Sequence, residues 1–191
     1  MERAIVVLGT SWGGLNAVRV ILGGLPTGIG LPIVIVQHRH RDSDGLLAEL
    51  LQDVTPMPVA EVEDKDRVEP GRVFIAPPNY HLLIDEGHFA LSTEEAVRFS
   101  RPSIDVTFTS AADEYGAGTI GVVLTGANDD GARGLRRIAD RGGRSIVEDP
   151  ATAEIATMPA AALRAVPTAT VLPVDQIAAH LCRLFTASVR P

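Results

Sequence analysis

Cysteine is nearly absent: the 191 residues contain one, Cys182, so no disulfide can form within the chain. Its place in the run "DQIAAHLCRLF" reads as a small core position on a helix, remote from any candidate base. Aromatic residues are also scarce, at 4%, and the 17 Lys and Arg are dispersed and outnumbered by 24 Asp and Glu, leaving a formal charge of −7. A basic groove or an aromatic stacking platform for nucleic acid is therefore excluded. No long apolar run is present either. The N-terminal "MERAIVVLGT" is too short and wrongly bounded for a signal peptide or a span, so the expectation is a cytoplasmic chain with no membrane insertion. At 46% hydrophobic and 21% charged residues, composition is that of an ordinary globular protein, and the length fits a single domain, 1–191.

What the chain does have is a succession of short β-branched runs. They fall at 4–8, 32–36, 72–76, 119–125, 144–148 and 168–172, and read as buried strands. Helical patterns separate most of them: "GLNAVRVILGGL", "SDGLLAELLQD", "SIDVTFTSAADEYG", "DGARGLRRIADRGG", "MPAAALRA" and "VDQIAAHLCRLF". This alternation predicts an α/β fold with a doubly wound, mostly parallel sheet and helices on both faces. One segment breaks the rhythm. "YHLLIDEGHFALS" reads as two short strands about "DEG", an antiparallel hairpin expected at one edge of the sheet.

Functional groups in such sheets gather on loops beyond the carboxyl ends of the strands, and three loops stand out. Gly9-Thr10-Ser11-Trp12-Gly13 satisfies G-x-S-x-G, a sharp strand-to-helix turn that projects a serine hydroxyl beside backbone N–H groups and a helix N-terminus. The bland reading of Ser11 is a helix cap. As a phosphate cradle the loop is poor, because it has neither G-x-G-x-x-G spacing nor a Walker lysine. In "IVIVQHRHRDSDG", His38 ends the second strand, where a neutral imidazole can accept a serine's proton; His40 is an alternative farther into the loop. In "VVLTGANDDGARGL", one of Asp129 and Asp130 is suited to orient a histidine while the other serves only as a helix-start acid. The resulting order Ser, His, Asp differs from the Ser, Asp, His of α/β hydrolases, so a lipase-like fold is not implied.

Taken in order, "GTSWGG", "VQH", "PGRVFIAPPNYHLLI", "RPSIDVTFTSAA", "VVLTGANDDGARGL" and "MPAAAL" resemble the catalytic domain of the chemotaxis protein-glutamate methylesterases, the CheB type, over nearly the whole chain. The resemblance implies Ser11 as nucleophile, His38 as base and Asp130 as the orienting carboxylate, with backbone N–H groups at Trp12 and Ala127 as oxyanion donors. It also implies hydrolysis of protein glutamate γ-methyl esters through an acyl-serine, with glutamine deamidation by the same route. No metal and no cofactor is called for. Methylated chemotaxis-type receptors are the implied partners.

Four positions depart from the family's usual pattern: Trp12, where Thr or Ser is common, Ala127 for Met, Ala160 for Arg and Ser100 for His. Members of the chemotaxis kind usually carry an N-terminal receiver domain that blocks the site until phosphorylated. This chain begins directly at strand one, so the expectation is either a fragment or a free-standing member with another regulatory partner, and Met1 with only two polar residues before the strand favours the second. Two further readings compete: a non-catalytic regulatory or interaction module on the same fold, with Trp12 as a contact or a plug, and a nucleotide-binding turn.

Overall fold

A computed structural model describes residues 4–26, 28–40 and 45–188. In chain order its elements are β1 (Ile5–Thr10), α1 (Gly14–Gly23), β2 (Ile33–Gln37), α2 (Leu46–Gln52), β3 (Val59–Glu61), β4 (Val73–Ile75), β5 (His81–Asp85) and β6 (His88–Ser92). They continue with α3 (Ile104–Tyr115), β7 (Thr119–Val123), α4 (Ala132–Asp140), β8 (Arg144–Glu148), α5 (Thr157–Ala165), β9 (Thr170–Leu172) and α6 (Val174–Ser188). Seven strands form one sheet in the order β3-β4-β2-β1-β7-β8-β9, and every ladder in it is parallel.

The β-branched runs are continuous because both faces of the sheet are covered. Along β1, Ile5 and Val7 enter one apolar cluster with α3, α4 and α5, whereas Val6 and Leu8 enter the other with α1, α2 and α6. Along β2, Val34 and Val36 go to the first cluster and Ile33 and Ile35 to the second. Helices thus lie on both faces, and a strand buried twice cannot alternate with polar residues. All six predicted strands and all six helices form, the first residues of the "SDGLLAELLQD" pattern lying outside the described residues.

Two features differ from expectation. Strand β3 was not foreseen: its three residues are each only half-buried and carry no pattern, and its pairing with β4 makes it a strand. The hairpin β5–β6 forms with the expected antiparallel pairing, but it is a two-stranded sheet of its own rather than an addition to an edge of the large one. Leu82, Ile84 and Phe89 are buried in the cluster with α3, and Phe89 packs on Phe74 with ring centroids 4.8 Å apart. Burial of that apolar face, together with the Thr107 hydroxyl donating to Leu82 O at 2.8 Å, fixes the hairpin against the helix layer.

The chain leaves β1 toward β2 on one side and places β7 on the other, so the order reverses around β1. A crevice at the carboxyl end of β1 follows from this reversal, and open α/β sheets bind their ligands there.

Candidate active site

Adjacent strands β2, β1 and β7 carry the three loops singled out from the sequence, so their carboxyl ends bring His38, Ser11 and Asp130 to one edge. Ser11 and His38 line one open groove of about 650 Å³ together with Trp12, Leu15, Arg19 and Glu154.

The Ser11 turn is held from below by backbone and by Thr125. Ser11 N–H donates to Thr125 O at 3.0 Å, and the buried Thr10 hydroxyl donates to the same oxygen at 3.1 Å. The Thr125 hydroxyl donates to Trp12 O at 3.0 Å and accepts from Ile155 N–H at 2.9 Å. From the β2 side, Gln37 Nε2 donates to Ser11 O at 2.7 Å. Gly13 has φ 77°, in the left-handed region that lets the strand swing sharply into α1, as the G-x-S-x-G pattern requires. Among the side chains above the turn, Trp12 is 69% exposed, so it walls the groove without filling it.

Asp130 lies at the other extreme. Its carboxylate is buried and accepts five hydrogen bonds: His38 Nε2 at 2.8 Å, the Ser103 hydroxyl at 3.0 Å, and the backbone N–H groups of Ile104, Asp105 and Gly131 at 2.8, 2.9 and 3.0 Å. Two of these are first-turn donors of α3, so the carboxylate also caps that helix. Burial by itself would raise the Asp130 pKa; the His38 hydrogen bond, the Asp105 N–H, the His38 charge and the Ile104 N–H outweigh it, and the carboxyl is held below its ordinary value. Asp129, one residue earlier, is exposed and pairs with Arg98.

With Nε2 engaged by Asp130, the other ring nitrogen of His38 faces Asn128, whose amide nitrogen is 3.4 Å from Nδ1. An amide N–H pointing at Nδ1 is compatible with a neutral ring protonated on Nε2, leaving the lone pair at Nδ1. That is the reverse of the usual serine-protease assignment, where Nδ1–H meets the carboxylate. The imidazole is 12% exposed, open enough to exchange a proton with a substrate in the groove. His40 is exposed and does not line the groove.

Ala127 is exposed and is not among the groove's lining residues. Its neighbour Gly126, however, lies against Ser11: a Cβ there would meet Ser11 Cβ at 2.9 Å and also collide with Met158 Sδ. Met158 N–H donates to Gly126 O at 3.0 Å, so the start of α5 is tied to the aspartate loop. Close approach of the Met158 and Ser11 side chains to the backbone is what the glycine of "TGAND" permits.

Several contributing residues escaped the sequence reading. Asn128 was visible only as a turn residue, and its Oδ1 indeed accepts Asp130 N–H at 3.1 Å in an Asx turn. Ser103 had the signal of a serine before a helix, but its hydroxyl serves Asp130 rather than its own helix. Buried His81 accepts Ser103 N–H at 3.2 Å on Nδ1 and reaches Glu95 O at 3.1 Å through Nε2. Glu148 ends β8 with a buried carboxyl that accepts Thr125 N–H at 2.7 Å. Burial raises its pKa above the ordinary value; the Thr125 hydrogen bond opposes this and the charge of Glu154 reinforces it.

Cys182 is half-buried against the α1, α2 and α6 cluster, away from the groove. Among the described residues no helix is long and apolar enough to cross a membrane.

A parallel, doubly wound sheet with a serine, a histidine and a buried aspartate on three neighbouring carboxyl-end loops defines an α/β protein with a hydrolase-type constellation. The chain belongs to the CheB methylesterase family, whose family model matches residues 6–181. It is similar to a protein of Leptospira interrogans, 48% identical over 96% of both chains. The Myxococcus xanthus protein-glutamate methylesterase FrzG is 40% identical over 93% of this chain, and an Anaeromyxobacter dehalogenans protein-glutamate methylesterase/protein-glutamine glutaminase is 42% identical over 91%. The chain spans about half the length of these last two, 53% and 51%. The crystal structure of the Thermotoga maritima CheB methylesterase catalytic domain superposes with a TM-score of 0.90 at 34% identity, covering 96% of this chain and all of that one.

Proposed function

We propose that this protein hydrolyses glutamate γ-methyl esters on chemotaxis-type receptor proteins, with Ser11 as nucleophile, His38 as general base and acid, and Asp130 as the orienting carboxylate. The observation that carries the reading is the bond from His38 to the buried Asp130 beside a groove that His38 shares with Ser11. The family and the names of its members supply the ester.

Ser11 Oγ attacks the γ-carbonyl carbon while its proton passes to the His38 lone pair at Nδ1, and Asp130 stabilises the imidazolium through Nε2–H. Backbone N–H groups at Trp12, in the groove, and at Ala127, next to the Gly126 that lies against Ser11, receive the tetrahedral oxyanion. Collapse breaks the carbon–methoxy bond, and the imidazolium gives its proton to the departing methanol. Water, deprotonated by His38, then cleaves the acyl-serine and leaves glutamate. A glutamine substrate follows the same course with ammonia as the leaving group. No step calls for a metal or a cofactor, and the work is done in the cytoplasm.

Release of methanol from receptors methylated in vitro, compared between the intact protein and Ser11→Ala, tests the proposal. Release that vanishes in the variant is expected. Release that persists removes Ser11 from the mechanism, and none from the intact protein gives the fold to a non-catalytic module.

A further inference from the structure

Helices α1 and α2 follow the neighbouring parallel strands β1 and β2 and pack on the same face of the sheet. Both therefore begin at the edge that holds Ser11 and His38. Each already buries a stripe: Ala17, Val18, Ile21 and Leu22 from α1, and Leu51 from α2. Beyond those stripes, Trp12 is 69% exposed, Leu46 50%, Leu50 39% and Leu15 36%. These are half of the eight large hydrophobic side chains that the described residues leave exposed, and they fall in one region rather than scattered singly.

The region is continuous with the groove. Trp12, Leu15 and Arg19 line it. Arg19 lies one turn along α1 from Leu15, and its Nη1 donates to Leu50 O at 3.1 Å, tying the two helices together. Leu46 lies one turn before Leu50 on the same face of α2. An apolar strip thus leaves the groove, crosses the Arg19 link and continues along α2.

We infer that this α1–α2 strip is the docking surface for an amphipathic helix of the protein substrate, the one that carries the esterified glutamate. The inference rests on the esterase reading. A helix with its ester over Ser11 would set apolar residues one and two turns away on Leu15, Leu50 and Leu46, the mode in which an apolar helix face meets an apolar surface. Arg19 gives the strip its polarity: the groove's carboxylate, Glu154, lies against Gly13 at the turn, whereas the guanidinium lies on the strip itself, where it attracts the unesterified carboxylates of such a helix, and the ester needs none.

The test compares two substrates with the double variant Leu46→Glu, Leu50→Glu: a receptor methylated in vitro, and a capped tripeptide bearing glutamate γ-methyl ester, too short to reach α2. Loss of two leucine contacts should lower kcat/KM on the receptor at least about tenfold and leave the tripeptide within about twofold. Leu46→Ala, Leu50→Ala should show the same selectivity with a smaller loss, and thermal melts identify any variant that does not fold. Unchanged receptor kinetics in a folded variant overturns the inference. So does a wild-type dimer that the double variant dissociates without altering receptor hydrolysis, since the strip would then belong to a second copy. Wild-type protein inert toward both substrates overturns the esterase reading itself, and the docking surface falls with it.

Discussion

The two sides of the groove are built on opposite principles. The Asp130 side is buried and over-determined, with five donors on one carboxylate and a helix N-terminus behind it. Across the groove, the Ser11 turn is fixed through its backbone by Thr125 and by the Gln37 side chain, and it shows solvent an exposed tryptophan. An imidazole must be held in one tautomer and one orientation, which rewards a rigid, dry carboxylate. A surface that admits a protein substrate has to stay open, and its exposed apolar groups contribute little until something covers them.

Breaking the rigid side should give the largest effect. Asp130→Asn should lower turnover about 10³- to 10⁴-fold, as loss of an orienting carboxylate does. The same substitution should also weaken the fold, because an amide has one acceptor oxygen for five donors and turns its NH₂ toward the N-terminus of α3. A stability loss of about 3 kcal/mol is expected in urea titrations.

Thr125→Val keeps the volume and removes the hydroxyl that joins Trp12 O to Ile155 N–H. About a tenfold fall in kcat with little change in KM is expected, since about 1.4 kcal/mol of turn positioning is at stake. A change confined to KM would mean that the hydroxyl supports the groove wall and not the position of Ser11.

Two of the buried carboxyls, Asp130 and Glu148, should respond to pH in opposite senses. Asp130 has a depressed pKa in the folded state, so its contribution is complete above the ordinary carboxylate value near ~3.9 and is lost as pH falls through the folded value. Glu148 has a raised pKa, so it favours folding most below its ordinary value near ~4.3 and loses that contribution as pH rises through the raised one. Glu148→Gln retains an acceptor for Thr125 N–H and should flatten the decline above pH ~4.3. Thermal melts between acid and neutral pH check both signs.

Smaller effects are expected on the open side and at Asp129. Trp12→Thr should shift receptor KM while moving Tm by no more than about 2 °C, because an exposed side chain stabilises little. Asp129→Asn removes only an exposed pair with Arg98, and turnover should stay within about twofold. Equal losses in the Asp129 and Asp130 variants would collapse the contrast between the two sides.

Much of this architecture was legible in the residues. Strands buried on both faces are written as β-branched runs, and "GTSWGG", "VQH" and "TGANDDG" sit where strand ends meet helix starts. Strand β3 was not legible, because three half-buried residues carry no period and only the β4 ladder recruits them. Nor was the place of the hairpin, which depends on the apolar faces of Phe74 and α3 rather than on its own turn.

The sequence by itself determined the class of fold and the three loops, since periodicity, turn residues and G-x-S-x-G are local properties. Tertiary structure decided which loops meet: the order β2-β1-β7 joins residues more than 90 positions apart, as His38 and Asp130 are. It also separated two adjacent aspartates, burying Asp130 against the first turn of α3 and leaving Asp129 in solvent. Hydrogen-bond donors converge on a carboxylate only when distant segments are packed together, and no local pattern records that convergence.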